Sequence, residues 1–253
     1  MSVFKMYLKP IGTVLWEKWV EFKFDWVKIT TSGLISPLLY MIALGWGLGS
    51  SRSVSDRPYI DFLIPGIIAL TTMNTSFTAV STPLCIQKQF EHSFDQLVIS
   101  PTPIPSYILG QMIGGSIRGM YAGVLILLIS IPFGASMKIN AAFFLVMLLN
   151  GLAFAALGVA VAILARLHSD VGRFTTYAIL PMTFLCNTFF PLDQVPKFIK
   201  VLISILPLTH ASGSLRAIAY GDPASLLSIL VLAAYALLFM FIAMAVMNRR
   251  EML

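Results

Sequence analysis

Residues 139–165, INAAFFLVMLLNGLAFAALGVAVAILA, form a run of 27 residues without a charged side chain. A helix needs about 20 apolar residues to cross the roughly 30 Å hydrocarbon core of a bilayer. This run is therefore predicted to be a transmembrane helix. The composition of the whole chain agrees, because 58% of its residues are hydrophobic and only 11% are charged, whereas about 25% are charged in a typical soluble domain.

Five other runs of similar length lack Asp, Glu, Lys and Arg, apart from Arg118 in one of them. They are residues 29–51, 62–87, 96–132, 174–192 and 223–248. Together with residues 139–165 they predict an all-α membrane protein with six transmembrane helices. We expect residues 1–28 to form a cytoplasmic N-terminus with an interfacial helix, and residues 29–253 to form the transmembrane domain.

The basic residues are distributed unevenly between the loops. If both termini are cytoplasmic, ten of the 17 Lys and Arg residues lie on that side, six lie on the other side, and Arg118 lies in a span. Because cytoplasmic loops are enriched in Lys and Arg, both termini are predicted to be cytoplasmic. The net charge of +6 fits anionic lipid headgroups, and no nucleic-acid partner is expected.

The segment before the first span is too polar to cross a bilayer. Its polar side chains recur at helical spacing: Glu17, Glu21, Asp25 and Lys28. Trp16 and Trp19 face away from them, which is typical of an amphipathic helix that lies in the membrane interface. This helix is either a simple anchor or an elbow that moves with the first span.

Residues 88–99 predict a short cytoplasmic helix between the second and third spans. Its apolar side chains share one face: Phe90, Phe94, Leu97 and Val98. Lys88, Glu91 and Asp95 lie mainly on the other face, and the prolines that begin at Pro101 end the helix. Such a helix suits docking into a groove on a partner, although an ordinary interfacial loop helix has the same pattern.

The loop before the last span is interrupted by three prolines, Pro191, Pro196 and Pro207. Apolar side chains between them again share a helical face: Phe198, Val201, Leu202 and Ile205. The pattern predicts a short helix that dips into the outer leaflet and a return segment after it. A structural plug and an exit gate are both compatible with this loop.

The third span combines closely spaced glycines with the single charged residue of the spans. The glycines at four-residue spacing include Gly110, Gly114, Gly115 and Gly119. Small residues let helices approach closely, so these positions are predicted to pack against another helix or a second chain. Arg118 is expected either to snorkel or pair with a structural partner, or to contact a transported molecule.

The sequence contains none of the motifs that would make the chain a self-contained enzyme. Cys85 and Cys186 lie in apolar runs and are expected to be buried rather than redox-active. There is no phosphate loop, no H-E-x-x-H motif and no G-x-S-x-G elbow, so no catalytic residue and no metal site is predicted. The predicted spans also contain no carboxylate of the kind that drives proton pumps, which indicates that another polypeptide supplies the energy.

Two other classes of function remain possible. A secondary transporter or channel would need no nucleotide-binding partner, but the missing carboxylates count against it. An intramembrane enzyme would have to combine Asn74, Asn150, Asn187 and His210, whose spacing contains no nucleophile beside a base.

Three segments resemble a known family. The first follows the second span and contains Glu91, Asp95, Leu97 and Ser100-Pro101. The second is the proline-rich loop, with FFPLD at 189–193, Val195-Pro196, LPLT at 206–209 and Leu215-Arg216; the third is LIPG at 63–66. The whole chain resembles a permease of the type 2 ATP-binding cassette (ABC) exporters, nearest in appearance to the nodulation lipo-oligosaccharide and daunorubicin-resistance branch.

The resemblance implies a path for a polysaccharide, lipid-linked glycan, lipid or drug across the inner membrane of a prokaryote. It implies a homodimer with a second permease chain and two copies of a separate ATPase, which would bind ATP and Mg²⁺, so no cofactor is expected on this chain. Residues 88–99 resemble the coupling helix, with the ATPase contacts at Glu91, Phe94, Asp95, Leu97, Ser100 and Pro101. Residues 190–222 resemble a re-entrant helical hairpin, with an extracellular gate at Phe190, Pro191, Asp193, Pro196 and Pro207.

Overall fold

The computed structural model describes residues 3–48, 53–54, 57–91, 102–133, 137–190 and 196–251. The α-helices of these ranges are α1 (Val3–Tyr40), α2 (Tyr59–Ile86), α3 (Ile104–Ser130), α4 (Ala141–Leu164), α5 (His168–Phe174), α6 (Leu180–Leu185), α7 (Lys197–Ile205), α8 (Pro207–Tyr220) and α9 (Leu226–Glu251). Shorter helical turns extend or join them: Met41–Leu48 after α1, Gln87–Glu91 after α2, Ile131–Phe133 after α3 and Thr175–Ile179 between α5 and α6. Two short antiparallel strands, β1 (Ser53–Val54) and β2 (Arg57–Pro58), precede α2.

Five helices of the described residues are long and apolar enough to cross a membrane: Leu8–Gly45, Tyr59–Phe90, Ile104–Phe133, Ala141–Leu164 and Leu226–Asn248. Each overlaps one of the six predicted spans, so the prediction of an all-α membrane protein is confirmed. The predicted span at residues 174–192 is not among the five. Its helical part ends at Leu185, and the backbone turns at Asn187, which has a positive φ of 56°.

Local sequence explains where two of the long helices begin. The third predicted span starts later than its apolar run, at Ile104, because Pro103 precedes the helix and Pro105 occupies its first turn, where no intrahelical N–H bond is lost. At the start of α4 the Asn140 side chain accepts a 3.1 Å bond from the Phe143 N–H, which satisfies one of the free amides of the first turn.

Helix α2 is the centre of the bundle. Its side chains are mostly buried within the protein, and it packs against α3, α4 and α8. The Asn150 amide of α4 donates a 3.0 Å bond to the Ala69 carbonyl of α2, a polar link between two buried helices. In contrast, α1 and α9 lie at the periphery and bury few of their side chains within the protein.

Glycines of α3 allow it to approach its neighbours closely. A Cβ atom at Gly115 would lie 2.5 Å from Val80 of α2. A Cβ atom at Gly119 would lie 2.7 Å from the Thr72 carbonyl and would overlap the Ser76 hydroxyl. The other two predicted packing glycines, Gly110 and Gly114, face α1 instead. This spacing therefore places α3 between α1 on one side and α2 on the other.

The N-terminal interfacial helix and the first span form one helix with a kink. Within α1, Asp25 has φ −108° and ψ 15°, which are not helical values. The helix continues through residue 28, where the sequence predicted a boundary. Trp16 and Trp19 are exposed, with 67% and 56% of their surface accessible, as expected for an interfacial face.

The proline-rich loop contains two helices of different character. Helix α7 begins after Pro196 and exposes all four of the side chains on its apolar face: Phe198, Val201, Leu202 and Ile205. Helix α8 begins at the buried Pro207, packs against α2, α4 and α9, and ends at Gly221 with a φ of 91°. A left-handed residue at this position is a common helix terminator, and glycine adopts it without strain.

Candidate functional site

A cavity of about 350 Å³ lies between α1, α2 and the α5–α6 segment. Its wall is unusually polar for a surface between membrane-spanning helices. The hydroxyl and amide side chains that line it are Ser32, Ser36 and Tyr40 of α1, Thr71, Asn74, Thr75 and Thr78 of α2, and Thr175 and Thr183 of the α5–α6 segment. Polar side chains are costly next to lipid, so they are expected to face a water-filled space or a transported molecule.

Several of the hydroxyl groups in this wall donate to a carbonyl group of their own helical segment. Thr78 donates to the Asn74 carbonyl at 2.8 Å, and Thr183 donates to the Ile179 carbonyl at 3.0 Å. The Thr71 hydroxyl is different, because it is buried and has no hydrogen-bond partner among the described residues. A buried polar group normally has a partner, so the unsatisfied hydroxyl of Thr71 is an exception in the wall of this cavity.

Arg118 is the one charged residue among the described residues that line this cavity. Its Nη1 atom lies 3.1 Å from Glu21 Oε1, and Lys18 Nζ lies 3.0 Å from Glu21 Oε2. Arg118 therefore pairs with a structural partner, which was one of the two predicted alternatives. It also lines the cavity, where the other alternative, contact with a transported molecule, is possible. This partner could not be predicted from the sequence, since Glu21 lies 97 residues away on a different helix.

The end of α2 is bound to two neighbouring helices where the chain leaves towards residues 92–101. Lys88 Nζ donates to the carbonyl groups of Ala162, Ile163 and Ala165, at 3.5, 2.8 and 2.5 Å. These carbonyls end α4, whose negative dipole end attracts a cation. Beside Lys88, the Gln87 amide donates to the Glu17 carboxylate of α1 at 2.7 Å.

The turn that follows α4 has a cap of its own. The Asp170 carboxylate accepts bonds from the backbone N–H groups of Arg166 and Leu167, at 3.0 and 2.9 Å. These two bonds favour the charged carboxylate and lower the pKa of Asp170 below its usual value. Asp170 therefore fixes the connection from α4 to α5 in its ionised form.

At the other end of α2, a buried arginine holds the turn that follows α6. Arg216 of α8 donates to the Phe62 carbonyl at 3.1 Å and to the Asn187 carbonyl at 2.7 Å. The Tyr59 hydroxyl donates to the Phe189 carbonyl at 2.6 Å. This part of the chain leads directly into residues 191–195, so α2 and α8 together fix one end of the proline-rich loop.

The predicted site residues are distributed over several parts of the chain. Of the predicted coupling contacts, Glu91 ends the turn after α2, and Phe94, Asp95, Leu97, Ser100 and Pro101 lie outside the described residues. Of the predicted gate, Phe190 is half-buried, Pro196 is exposed and Pro207 is buried, while Pro191 and Asp193 lie outside the described residues. The bonds of Lys88 to the end of α4 could not be predicted from the sequence, because their acceptors lie 74 to 77 positions further along the chain.

The long apolar helices of the bundle are those of a multi-pass membrane protein. The family model for the ABC-2 type transporter matches residues 10–220, which is most of the chain. The chain belongs to the ABC-2 type transporter family, and the resemblance seen in its sequence is confirmed.

Curated relatives align with almost the entire chain. Nodulation protein J of Rhizobium meliloti (strain 1021) is 26% identical over 99% of this chain and 100% of its own length. Nodulation protein J of Rhizobium leguminosarum bv. viciae is 27% identical over 96% of this chain and 97% of its own length. The inner membrane transport permease YadH of Escherichia coli (strain K12) is 26% identical over 85% of this chain and 84% of its own length.

Proposed function

We propose that this chain is the permease subunit of an ATP-driven exporter and that the polar cavity is part of its translocation path. The cavity is the observation that carries the proposal. It places nine hydroxyl or amide side chains between helices that are otherwise apolar, and a polar surface between membrane helices is typical of a place where a polar molecule passes. YadH is described as an inner membrane transport permease, which supports the same conclusion and the same membrane.

The composition of the cavity wall favours a substrate that is rich in hydroxyl groups. Hydroxyl and amide groups form hydrogen bonds with hydroxylated molecules, and among the described lining residues the charge comes from Arg118 alone. A neutral or anionic substrate rich in hydroxyl groups therefore fits better than a cationic drug. Within the family's range of cargo, this favours a glycan or a glycan-bearing lipid over a cationic compound.

A separate ATPase is proposed to drive the cycle through residues 88–99. Lys88 begins this segment and bonds to the end of α4, while Gln87 bonds to α1. A displacement of the segment would therefore act on α1, α2 and α4 together. Of these helices, α1 and α2 contribute side chains to the cavity wall. Glu91, Phe94, Asp95, Leu97, Ser100 and Pro101 are the proposed ATPase contacts.

The proposed topology has six spans, both termini in the cytoplasm and a re-entrant hairpin. Residues 174–192, which contain the turn at Thr175–Ile179 and α6, would be the fifth span, and α7 and α8 would form the hairpin with the gate residues around Pro196 and Pro207. The exposed apolar side chains of α1, such as Ile35 and Leu39, form a surface that a second permease chain can contact. We propose a homodimer with two ATPase subunits.

Cysteine accessibility tests the path without knowledge of the cargo. Ser36 lines the cavity, whereas the adjacent Ile35 is exposed at the outer surface of the bundle and does not line it. In a background that lacks Cys85 and Cys186, a Ser36→Cys variant in membranes should react with a water-soluble thiosulfonate, and an Ile35→Cys variant should not. Equal reactivity of the two variants would contradict the proposed path.

Charge reversal tests the coupling to an ATPase. A variant with Glu91→Arg and Asp95→Arg should lose its co-purifying ATPase while it still inserts into the membrane. Asp222→Arg is the matched control, because Asp222 is an exposed carboxylate in the turn between α8 and α9. Retention of the ATPase by the double variant would overturn the assignment of residues 88–99.

A further inference from the structure

A second cavity, of about 240 Å³, lies against the N-terminal half of α1. We call it the elbow groove, because it lies just before the kink of α1 at Asp25. Its apolar walls come from three helices: Leu15, Trp19 and Phe22 of α1, Ala79 of α2, and Ile117 and Tyr121 of α3. A groove of this size and composition can hold part of an alkyl chain.

Two cations border the elbow groove, and they share one carboxylate. Lys18 and Arg118 both line it, and both pair with Glu21, at 3.0 and 3.1 Å. The cluster therefore carries one positive charge in excess. The Lys18 side chain is only 8% exposed, and its stem lies against Gly114 of α3, where a Cβ atom would come within 2.9 Å of Lys18 Cγ.

The excess charge has no counterpart among the described residues that line the groove. Burying an unbalanced charge is costly unless an opposite charge accompanies it. Arg118 Nε is also buried and lacks a hydrogen-bond partner among the described residues. An anionic oxygen beside the exposed part of Arg118 and Lys18 would balance the charge of the cluster.

The position of the groove on the protein points to the membrane as the source of that anion. Trp16, Trp19 and Trp26 of the same helix are exposed, and tryptophans concentrate at headgroup depth in membrane proteins. Arg118 lies near the middle of α3, but its side chain reaches Glu21 on the helix that carries these tryptophans. Its guanidinium is therefore directed towards the depth at which lipid phosphates lie. The apolar walls of the groove lie next to its cationic border, just as the acyl chains of a phospholipid lie next to its phosphate.

We propose that the elbow groove binds one anionic phospholipid of the bilayer. Its phosphate lies between Lys18 and Arg118, and an acyl chain lies against the apolar walls. An anionic lipid matches the single excess charge, whereas a phosphocholine lipid brings a second cation to a cluster that is already positive. The bound lipid joins α1 to α3 ahead of the kink and so restricts the movement of the elbow.

A lipid titration tests the proposal on the purified full-length chain in a neutral detergent. Phosphatidylglycerol should raise the Tm of the protein in a saturable manner, and phosphatidylcholine should raise it less. Lys18→Gln should increase the phosphatidylglycerol concentration for half of the effect on the order of tenfold, because one charge-assisted bond to the phosphate is lost. Lys23→Gln makes the same change of charge at an exposed position of the same helix and should leave that concentration unchanged.

A second variant keeps the test independent of charge and of the Lys18–Glu21 pair. Ile117 lines the groove and is 55% exposed, so Ile117→Trp should fill the groove, preserve the Tm without lipid and remove the response to phosphatidylglycerol. Equal shifts from both lipids, or equal losses from Lys18→Gln and Lys23→Gln, would overturn the proposal. Inorganic phosphate alone should produce no shift, and a shift as large as that from the lipid would identify a site for a soluble anion instead.

Discussion

Replacing Lys88 by methionine removes the cation that joins the end of α2 to the end of α4. Methionine has nearly the same length but cannot donate a hydrogen bond, so the three carbonyls of Ala162, Ile163 and Ala165 lose their shared donor. A hydrogen bond that involves a charged group contributes about 1.5–3 kcal/mol, and a cation at a helix C-terminus about 0.3–1 kcal/mol. One ammonium serves all three carbonyls at a half-buried position, so we expect a loss of about 2 kcal/mol in total.

The protein contains its own reporter for this measurement. Cys85 and Cys186 are free and buried, so a maleimide that fluoresces on reaction follows their exposure during heating. A loss of about 2 kcal/mol should lower the Tm by about 5 °C for a chain of this size. In a Cys186→Ser background the remaining Cys85 lies one turn before Lys88, so its reaction at low temperature should accelerate as well.

The control is Lys23→Met, which removes the same charge from an exposed position of α1. It should leave the Tm within about 1 °C, as is usual for surface substitutions. An unchanged Tm in Lys88→Met would refute the view that this lysine connects α2 to α4. An equal decrease in both variants would show instead that only the net charge of the protein matters.

Three other positions give separate tests. Gly119→Leu should destabilise the protein by several kcal/mol because its side chain would enter α2, whereas Gly12→Leu, with open space around its Cβ position, should have little effect on the Tm. Asp170→Asn should lower the Tm at neutral pH. Because the folded-state pKa of Asp170 is lowered, the difference between the two proteins should decrease as the pH falls below the usual pKa of aspartate, and it should disappear once the carboxylate is protonated in the folded protein. Arg216→Met should lower the Tm because the buried carbonyls of Phe62 and Asn187 lose their donor, and Arg216→Lys should recover only part of that loss because lysine cannot reproduce the fork of two donors.

The long helices could be predicted from the sequence because lipid imposes a simple rule. A helix that crosses a bilayer needs about 20 apolar residues, and runs such as residues 139–165 meet this requirement without a charged residue. One predicted boundary differs from the structure, because Pro103 and Pro105 make α3 begin at Ile104 rather than at the start of its apolar run. Five of the six predicted spans therefore correspond to described helices.

The backbone of the segment predicted as the fifth span could not be predicted in the same way. The segment is apolar enough for a regular helix, but its backbone is irregular. A π-helical turn at Thr175–Ile179 separates α5 from α6, and the left-handed Asn187 follows the last helical residues. These are features of backbone geometry, and they leave little trace in the pattern of apolar residues. The same segment supplies Thr175 and Thr183 to the cavity, so its irregular course is associated with the candidate site.

The contacts that position the candidate site depend on tertiary structure. Glu21 and Arg118 are separated by 97 positions, and Lys88 lies 77 positions before its carbonyl partner Ala165. In the sequence, Lys88 and Glu21 are simply polar residues on amphipathic helices. Only the packing of α1 and α4 around α2 and α3 shows which of these charges meet.

We propose that this chain forms a path whose energy comes from a separate ATPase. Native mass spectrometry of the tagged chain, isolated from its own membrane in a mild detergent, is the decisive measurement. We expect an assembly of two 27.8 kDa permease chains with two copies of an ATPase that contains a phosphate loop. A permease that is recovered alone, together with transport that follows a proton or sodium gradient in the absence of ATP, would contradict the claim.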